Sequence, residues 1–254
     1  MTITTTAETL TDQQIQSYRT RGFVHIPSII SKEAAATYRQ AALDAKARLQ
    51  DRQPETENKV FSQHVNVWLQ DEPMKALTLH PKIAAVATKL AGVPLRLWHD
   101  HILIKPPHNQ APTHFHQDAP YWPHDNRPGH SLSAWVALVD VPVEKGCMSF
   151  IPGQTHITDL RPQNLRDADD LMSLSPSMQW EERVTIPLRA GDCTFHHQLT
   201  PHMANANTTD DPRVAHVIIY MDADVRFKDI RHLVTDPLNF KVGDALDHDI
   251  FPAF

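Results

Sequence analysis

The chain has 254 residues, of which 41% are hydrophobic and 21% charged, with a formal net charge of −6. A chain of this length can bury a full core in one large domain, and its acidic balance argues against nucleic acid or an anionic membrane surface as partner. No run approaches the roughly 18 apolar residues of a membrane-spanning helix, Met1–Thr6 has no secretory pattern, and two cysteines make no disulfide framework, so a cytoplasmic protein is expected.

Thr11 with Gln14 three residues on is a capping-box pattern and predicts a helix to about Arg21, ended by Gly22. Phe23-Val24-His25-Ile26 reads as a short strand stopped by Pro27. Ser31 caps a second predicted helix, Lys32 to about Asp51, rich in alanine with apolar residues at helical spacing. Residues 51–59 are polar and read as loop, whereas Val60–Trp68 alternates as a strand or pocket-lining segment does. A third helix is expected over Glu72–Ala91, with Met74, Leu77, Leu79, Ile83, Val86 and Leu90 as its apolar positions.

From Leu95 the texture changes to short apolar runs separated by Pro, Gly, Asn and Asp. Strands are expected at Leu95–Leu103, Ser131–Leu138, Met148–Ile151, Val184–Pro187, Asp192–His196 and Val214–Met221. Short strands after a helical first third predict a mainly β fold with flanking helices, a jelly-roll (double-stranded β-helix, cupin-like) core with the N-terminal helices packed on one sheet. The chain reads as a single domain. Its helical part is 1–94 and its jelly-roll core 95–222, with an acidic insertion at 159–182 over the barrel mouth and a C-terminal tail at 223–254 packed on the body.

Chemistry concentrates in Thr113-His114-Phe115-His116-Gln117-Asp118. On an extended strand residues i and i+2 share a face, so His116 and Asp118 can grip one cation from the same side. His114 has the parity of His116 and is its rival, with a pocket or supporting role the plainer reading. A second histidine-rich stretch offers His196, His197 and His202. His202, after Pro201 and eleven residues before Arg213, is preferred for a third ligand, with His197 the runner-up. Two histidines and one carboxylate on one face are the donor set of non-haem Fe(II) oxygenases. Arg213 opens the apolar run Val214–Tyr220, which reads as a buried strand, and its planar fork suits the carboxylate of a 2-oxo acid. The bland alternatives are a hydrogen-bonded His–Asp pair and an arginine in a surface ion pair.

With Lys105-Pro106-Pro107, His116-Gln117-Asp118, Ser133-Ala134-Trp135, Gly146-Cys147, Ile151-Pro152-Gly153, Gly191-Asp192, His202, Asn207 and Arg213 in this order, the chain resembles the phytanoyl-CoA dioxygenase family of Fe(II)/2-oxoglutarate-dependent oxygenases, over roughly residues 10 to 254. The resemblance implies His116, Asp118 and His202 as iron ligands and Arg213 as the anchor of 2-oxoglutarate, with Trp135 and His101 beside that co-substrate. It further implies O2 as oxidant, and hydroxylation instead of halogenation because Asp118 keeps its carboxylate. Gln63, Asn66, Trp98, Tyr121, Trp122 and His124 are candidates for the substrate pocket, and the turn-rich Asp125–Gly129 for a loop that swings over it.

The activity expected is hydroxylation of an aliphatic C–H in a small-molecule metabolite, with release of succinate and CO2. The absence of any basic patch for coenzyme A phosphates favours a modest metabolite over an acyl thioester. Two rivals are a non-oxidative cupin-like isomerase or hydrolase, which would have no use for Arg213, and a silent binding module. The sequence leaves the primary substrate and the oligomeric state open.

Overall fold

The structure, a computed structural model, describes residues 10–50, 62–109, 111–124 and 129–254. Its elements in chain order are α1 (Asp12–Arg21), β1 (Phe23–Ile26), α2 (Lys32–Gln50), β2 (Ser62–Val65), α3 (Glu72–Thr78), α4 (Pro81–Ala91), β3 (Leu95–Lys105), β4 (Thr113–His116), β5 (Leu132–Ala137), β6 (Met148–Phe150), α5 (Asp170–Leu174), β7 (Val184–Ile186), β8 (Cys193–His197), β9 (His202–Ala204) and β10 (Arg213–Asp222). The strands form two antiparallel sheets, β1-β8-β5-β10-β3-β2 and β4-β9-β6-β7. The architecture is the expected jelly roll.

β10 explains why the two sheets and the helices stack as they do. It is buried along its whole length, and its side chains divide by alternation. Val214, Ile218 and Tyr220 join the core that Met74, Leu77 and Ile83 form beneath the large sheet. Ala215, Val217 and Ile219 turn the other way and join Met148 and Phe150 of the small sheet. A strand apolar on both faces can only lie between two layers, so β10 sits at the centre and carries its first residue, Arg213, into the interior.

α1 begins as its sequence predicts. The Gln14 amide donates to Thr11 Oγ1 at 3.2 Å, and the Thr11 amide donates back to Gln14 Oε1 at 2.9 Å. Gly22 then ends it at φ 84°, a left-handed conformation that glycine tolerates best. A Cβ at Gly22 would also collide with the Thr200 hydroxyl, which donates to the Gly22 carbonyl at 2.7 Å. This close approach fastens the loop before β9 to the start of the fold.

The single helix expected over Glu72–Ala91 is two helices, α3 and α4. Pro81 is the reason. A residue before proline is pushed out of the helical region, and His80 accordingly has ψ 120°. The alternating Val60–Trp68 stretch is a strand only over β2. Val67–Leu69 is a 3-10 turn, and residues 51–61, including the loop expected at 51–59, lie outside the described residues. β9 is a strand that the sequence reading did not separate from its turn.

Between the large sheet and α3 lies a polar network with no exposure. Thr78 Oγ1 donates to Asp100 Oδ2 at 2.9 Å and lies 2.8 Å from His216 Nε2, while the Trp68 amide donates to the same carboxylate oxygen at 3.1 Å. Burial pushes the Asp100 carboxyl up to about 7 and the His216 imidazole down to about 3. Thr78→Val keeps the shape of the side chain but leaves two buried polar groups short of a partner. It is expected to cost about 1–3 kcal/mol, read as a lower urea midpoint with unchanged slope.

The C-terminal residues lie against the start of β3. The Leu97 amide donates to Pro252 O and the Phe254 amide to Leu95 O, both at 2.9 Å, and Leu246 and Phe251 are buried.

Candidate metal centre

The small sheet creates the site by register. β4 pairs with β9 so that His116 stands directly opposite His202, although 86 residues separate them in the chain. Asp118 follows two residues later. It is not on the strand, since its backbone is in the right-handed helical region at φ −75°, ψ −40° and caps a 3-10 turn over Ala119–Tyr121. Asp118 and His116 therefore do not meet by strand alternation. The turn brings the carboxylate round, and the Asp118 and Ala119 amides, both donating to Gln198 O at 3.0 Å, hold the turn in place.

One ligand atom from each of His116, Asp118 and His202 lies within 4.8 Å of the others. Asp118 Oδ1 is 3.7 Å from each of the two Nε2 atoms. Both imidazoles are fixed from behind, His116 Nδ1 lying 2.8 Å from His114 O and His202 Nδ1 3.0 Å from Thr200 O. A carbonyl can only accept, so Nδ1 carries the proton and Nε2 presents its lone pair to the gap. Asp118 Oδ2 is held separately, by Ser133 Oγ at 3.0 Å and beside His196 Nε2 at 3.5 Å.

The protonation states suit a cation. Burial pulls both ligand imidazoles down to about 4, so they are neutral near pH 7. Burial alone would raise the Asp118 carboxyl, but the surrounding His202, His196 and His116 outweigh it and hold the group ionised, well below the usual carboxylate range. Neutral imidazoles and an ionised carboxylate are the forms that bind a metal. Two nitrogen donors and one oxygen donor on one side fit a ferrous ion with its other positions open.

Of the rival histidines, His114 is not among the metal-competent group. A register irregularity between Thr113 and His116 breaks the parity on which its candidacy rested. His197 lies on the outer side of β8, its Nε2 against the Gly129 carbonyl. His196 is the one beside Asp118, which reverses the expected order of the alternatives. The alternation Cys193, Phe195 toward the helices and Thr194, His196 inward was the signal for it.

The triad opens into a cavity of about 460 Å³, within the usual size for a ligand site. Arg213 lines it, 1% exposed, its guanidinium 5.3 Å from the Trp135 ring centroid. Its hydrogen bond is long, from Nη1 to Gly146 O at 3.4 Å, and its Nε has no partner. Gly146 permits that approach, because it sits at φ 86° with the Asn205 carbonyl packed where a Cβ would stand. The cross-strand neighbour of Arg213 is Lys105, also fully buried, whose ammonium donates to the carbonyls of Ala111 and Asn205 at 2.9 and 2.8 Å. Burial and then Arg213 bring Lys105 down to about 7, and burial brings Arg213 down to about 10. Among the described residues no carboxylate contacts Arg213, and its guanidinium fits the distal carboxylate of a 2-oxo acid.

Trp135, His101, Gln63, Tyr121 and Trp122 all line the cavity. Gln63 Nε2 is 2.5 Å from His101 Nδ1, and the Tyr121 hydroxyl donates to the Gln163 carbonyl. Three other pocket candidates do not line it. Asn66 caps the 3-10 turn after β2 at φ 55°. Trp98 is fully buried against Phe251, with ring centroids 5.3 Å apart, because His99 and His101 take the inward positions of β3. His124 is fully buried between Trp98 and Trp122. Residues 125–128 of the loop expected to swing lie outside the described residues. The insertion reaches the cavity through Leu165, and its Gln163 accepts the Gln117 amide at 2.9 Å, between the two ligands of β4 and the turn. The sequence reading weighed His196 only as a rival ligand, gave Ser133 no role of its own and passed over His99 and His232; all four line the cavity.

The phytanoyl-CoA dioxygenase (PhyH) family model matches residues 18–215. The solved structure of the non-haem α-ketoglutarate-dependent carbocyclase SnoK from nogalamycin biosynthesis superposes with a TM-score of 0.85 at 36% identity, covering 98% of each chain. The epimerase SnoN, solved with Fe3+, α-ketoglutarate and nogalamycin RO, gives a TM-score of 0.82 at 35% identity over 95% of this chain and 97% of its own. The phytanoyl-CoA dioxygenase domain-containing protein 1 of Mus musculus is 26% identical over 159 residues, which is 60% of this chain and 54% of that protein. The chain thus spans about half the length of the curated relatives of that kind.

Proposed function

The chain belongs to the phytanoyl-CoA dioxygenase family, and on that premise we propose that it is an Fe(II)- and 2-oxoglutarate-dependent dioxygenase that hydroxylates an aliphatic C–H of a small-molecule metabolite, releasing succinate and CO2. The observation that carries this reading is one cavity with two ends. A His-Asp-His triad stands at one, and at the other a buried guanidinium that no carboxylate contacts among the described residues.

In this reading His116, Asp118 and His202 hold the iron from one side and leave the cavity side free. Bound there, ferrous iron supplies O2 activation coupled to decarboxylation of the 2-oxo acid, the chemistry that makes an unactivated C–H reactive. The carbonyls of His114 and Thr200 keep both imidazoles in the Nδ1–H form, and Ser133 keeps Asp118 Oδ1 turned inward. Arg213 receives the far carboxylate of 2-oxoglutarate, oriented by its stacking on Trp135. Val217 and Trp135 line the path between the two ends and give it an apolar wall.

The test is succinate formation from 2-oxoglutarate with Fe(II) and ascorbate. Turnover that depends on added iron and stops with a chelator is the expected result. Failure of 2-oxoglutarate to bind would sink this reading in favour of a non-oxidative cupin-like enzyme or a binding module.

A second reading is favoured by the likeness to a carbocyclase and an epimerase at 36% and 35% identity. The same C–H cleavage would then end in ring closure or inversion. Product mass separates the outcomes, since hydroxylation adds one oxygen, ring closure removes two hydrogens and epimerisation leaves the mass unchanged. A cytoplasmic location belongs to the proposal as well. It is supported by Cys147 and Cys193, both buried and unpaired, as a reducing compartment leaves them. Among the described residues, no helix is long and apolar enough to cross a membrane.

A further inference from the structure

We propose that the cavity at the metal site recognises an uncharged, ring-bearing substrate carrying hydroxyl or keto oxygens, through a hydrogen-bonding wall made of Gln63, His99, His101 and His232. This inference deepens the reading of the same site as a 2-oxoglutarate oxygenase and rests on it.

Strand register runs this wall alongside the co-substrate path, from Gln63 opposite Leu103 to His99 in the row of Ser133. Arg213 stands opposite Lys105, Val217 opposite His101, and Ile219 opposite both His99 and Ser133. At about 3.3 Å per residue, His101 lies roughly 13 Å and His99 roughly 20 Å along β3 from the Lys105 position. Ser133, which holds Asp118, shares the cross-strand row of His99. A co-substrate running from Arg213 toward the triad therefore passes the Val217–His101 row, and His99 stands level with the triad.

The wall is continuous. The His99 and His101 rings meet edge to face with centroids 4.8 Å apart, and His232 stacks on His99 at 5.6 Å. Gln63 touches His101 from β2, at the sheet edge. His99 is 3% exposed, and its Nδ1 has no partner although the residue lines the cavity. A buried ring nitrogen left unpaired is costly unless a ligand satisfies it.

The wall carries no charge. Burial draws His101 and His232 down to about 4 and His99 further below its usual value; His101 Nδ1 is engaged by Gln63 and His232 Nδ1 by the Val234 amide, so these two keep Nε2 for a ligand and His99 offers its unpartnered Nδ1. Among the described lining residues, the arginine at this end is Arg231. It stands at the mouth, 90% exposed, already paired with Asp236 at 3.1 Å. A carboxylate, sulfonate or phosphate drawn into this end would lose its water without gaining a cation. Tyr121, Trp122, Leu165 and Leu233 complete the chamber with flat and apolar surface, which suits a ring system.

The probes are 1,8-dihydroxyanthraquinone (neutral), anthraquinone-2-sulfonate (the same rings with a charge) and lauroyl-CoA. They are titrated by tryptophan-fluorescence quenching into oxygen-free protein with Fe(II) and 2-oxoglutarate. The visible charge-transfer band of the iron–2-oxoglutarate complex is recorded first, and its absence overturns the parent reading and this one together. With the band present, the neutral probe is expected to bind at least about tenfold more tightly than either anion. His99→Phe is expected to weaken that binding about tenfold while leaving the band intact. Gln63→Lys, a change at an exposed edge position, should raise affinity for the sulfonate about tenfold. An intact band with no binding of the neutral probe overturns the inference. So does equal or tighter binding of an anion, or binding unaffected by both variants.

Discussion

Asp118→Ala is expected to reduce iron-dependent succinate formation by more than about a hundredfold. Loss of an outer residue that only supports a ligand typically costs about 10–100-fold. The geometry makes this a sharp test, because a rival ligand set exists. His196 Nε2 lies 3.5 Å from Asp118 Oδ2, and the His196 and His202 rings are 4.4 Å apart, as close as His116 and His202 at 4.3 Å. Three histidines could therefore hold a cation with Asp118 as an outer partner. Under that rival, His196→Ala is the severe variant and Asp118→Ala the mild one. The proposed set demands the reverse order, with Ser133→Ala and His196→Ala each costing no more than an outer residue does. A readout independent of turnover is the rise in melting temperature on adding Ni(II), since a cation that binds only the folded state stabilises it. That rise should vanish in Asp118→Ala and persist in His196→Ala. Full succinate yield from Asp118→Ala would remove Asp118 from the ligand set.

The parts of this fold that were legible in the sequence are those decided locally. The capping box of α1, the stop at Gly22 and the doubly buried β10 follow from residue types at short spacing. The break between α3 and α4 was equally local, in Pro81, but the apolar spacing of the surrounding residues masked it. What escaped depends on pairings far apart in sequence. Nothing in Thr113–Asp118 tells that a register irregularity turns His114 aside, or that His202 will stand opposite His116. The donor types were readable, and their convergence was not. The pocket shows the same division. Histidines at alternate positions of β3 were a visible signal for a shared face, yet Trp98 beside them was assigned to the pocket because aromatic residues serve walls and cores equally well. His232 could not be found at all from sequence, because it arrives from the C-terminal segment, whose path is set by contacts with β3 and not by any periodicity of its own.

Arg213→Met is expected to have opposite effects on binding and on stability. In wild type the guanidinium is 1% exposed, its Nε is unsatisfied, and the ammonium of Lys105 lies on the neighbouring strand. A buried cation with no anion beside it costs several kcal/mol, and replacing buried ionic groups with apolar ones of similar volume often stabilises by about 1–4 kcal/mol. Methionine fills much of the same space against Trp135 without carrying charge. The co-substrate-free variant should therefore unfold at the same or higher urea concentration than wild type. Affinity for 2-oxoglutarate should fall by about 10–150-fold, which corresponds to the roughly 1.5–3 kcal/mol of a hydrogen bond to a charged group. The protection that 2-oxoglutarate gives wild type against unfolding, about 2.7 kcal/mol at a hundred times its Kd, should shrink accordingly at the same concentration. A variant that lost stability and kept its 2-oxoglutarate affinity would show Arg213 to be a structural cation. A variant that gained stability and lost affinity would show that the fold tolerates an unfavourable buried charge because a dianion relieves it on binding.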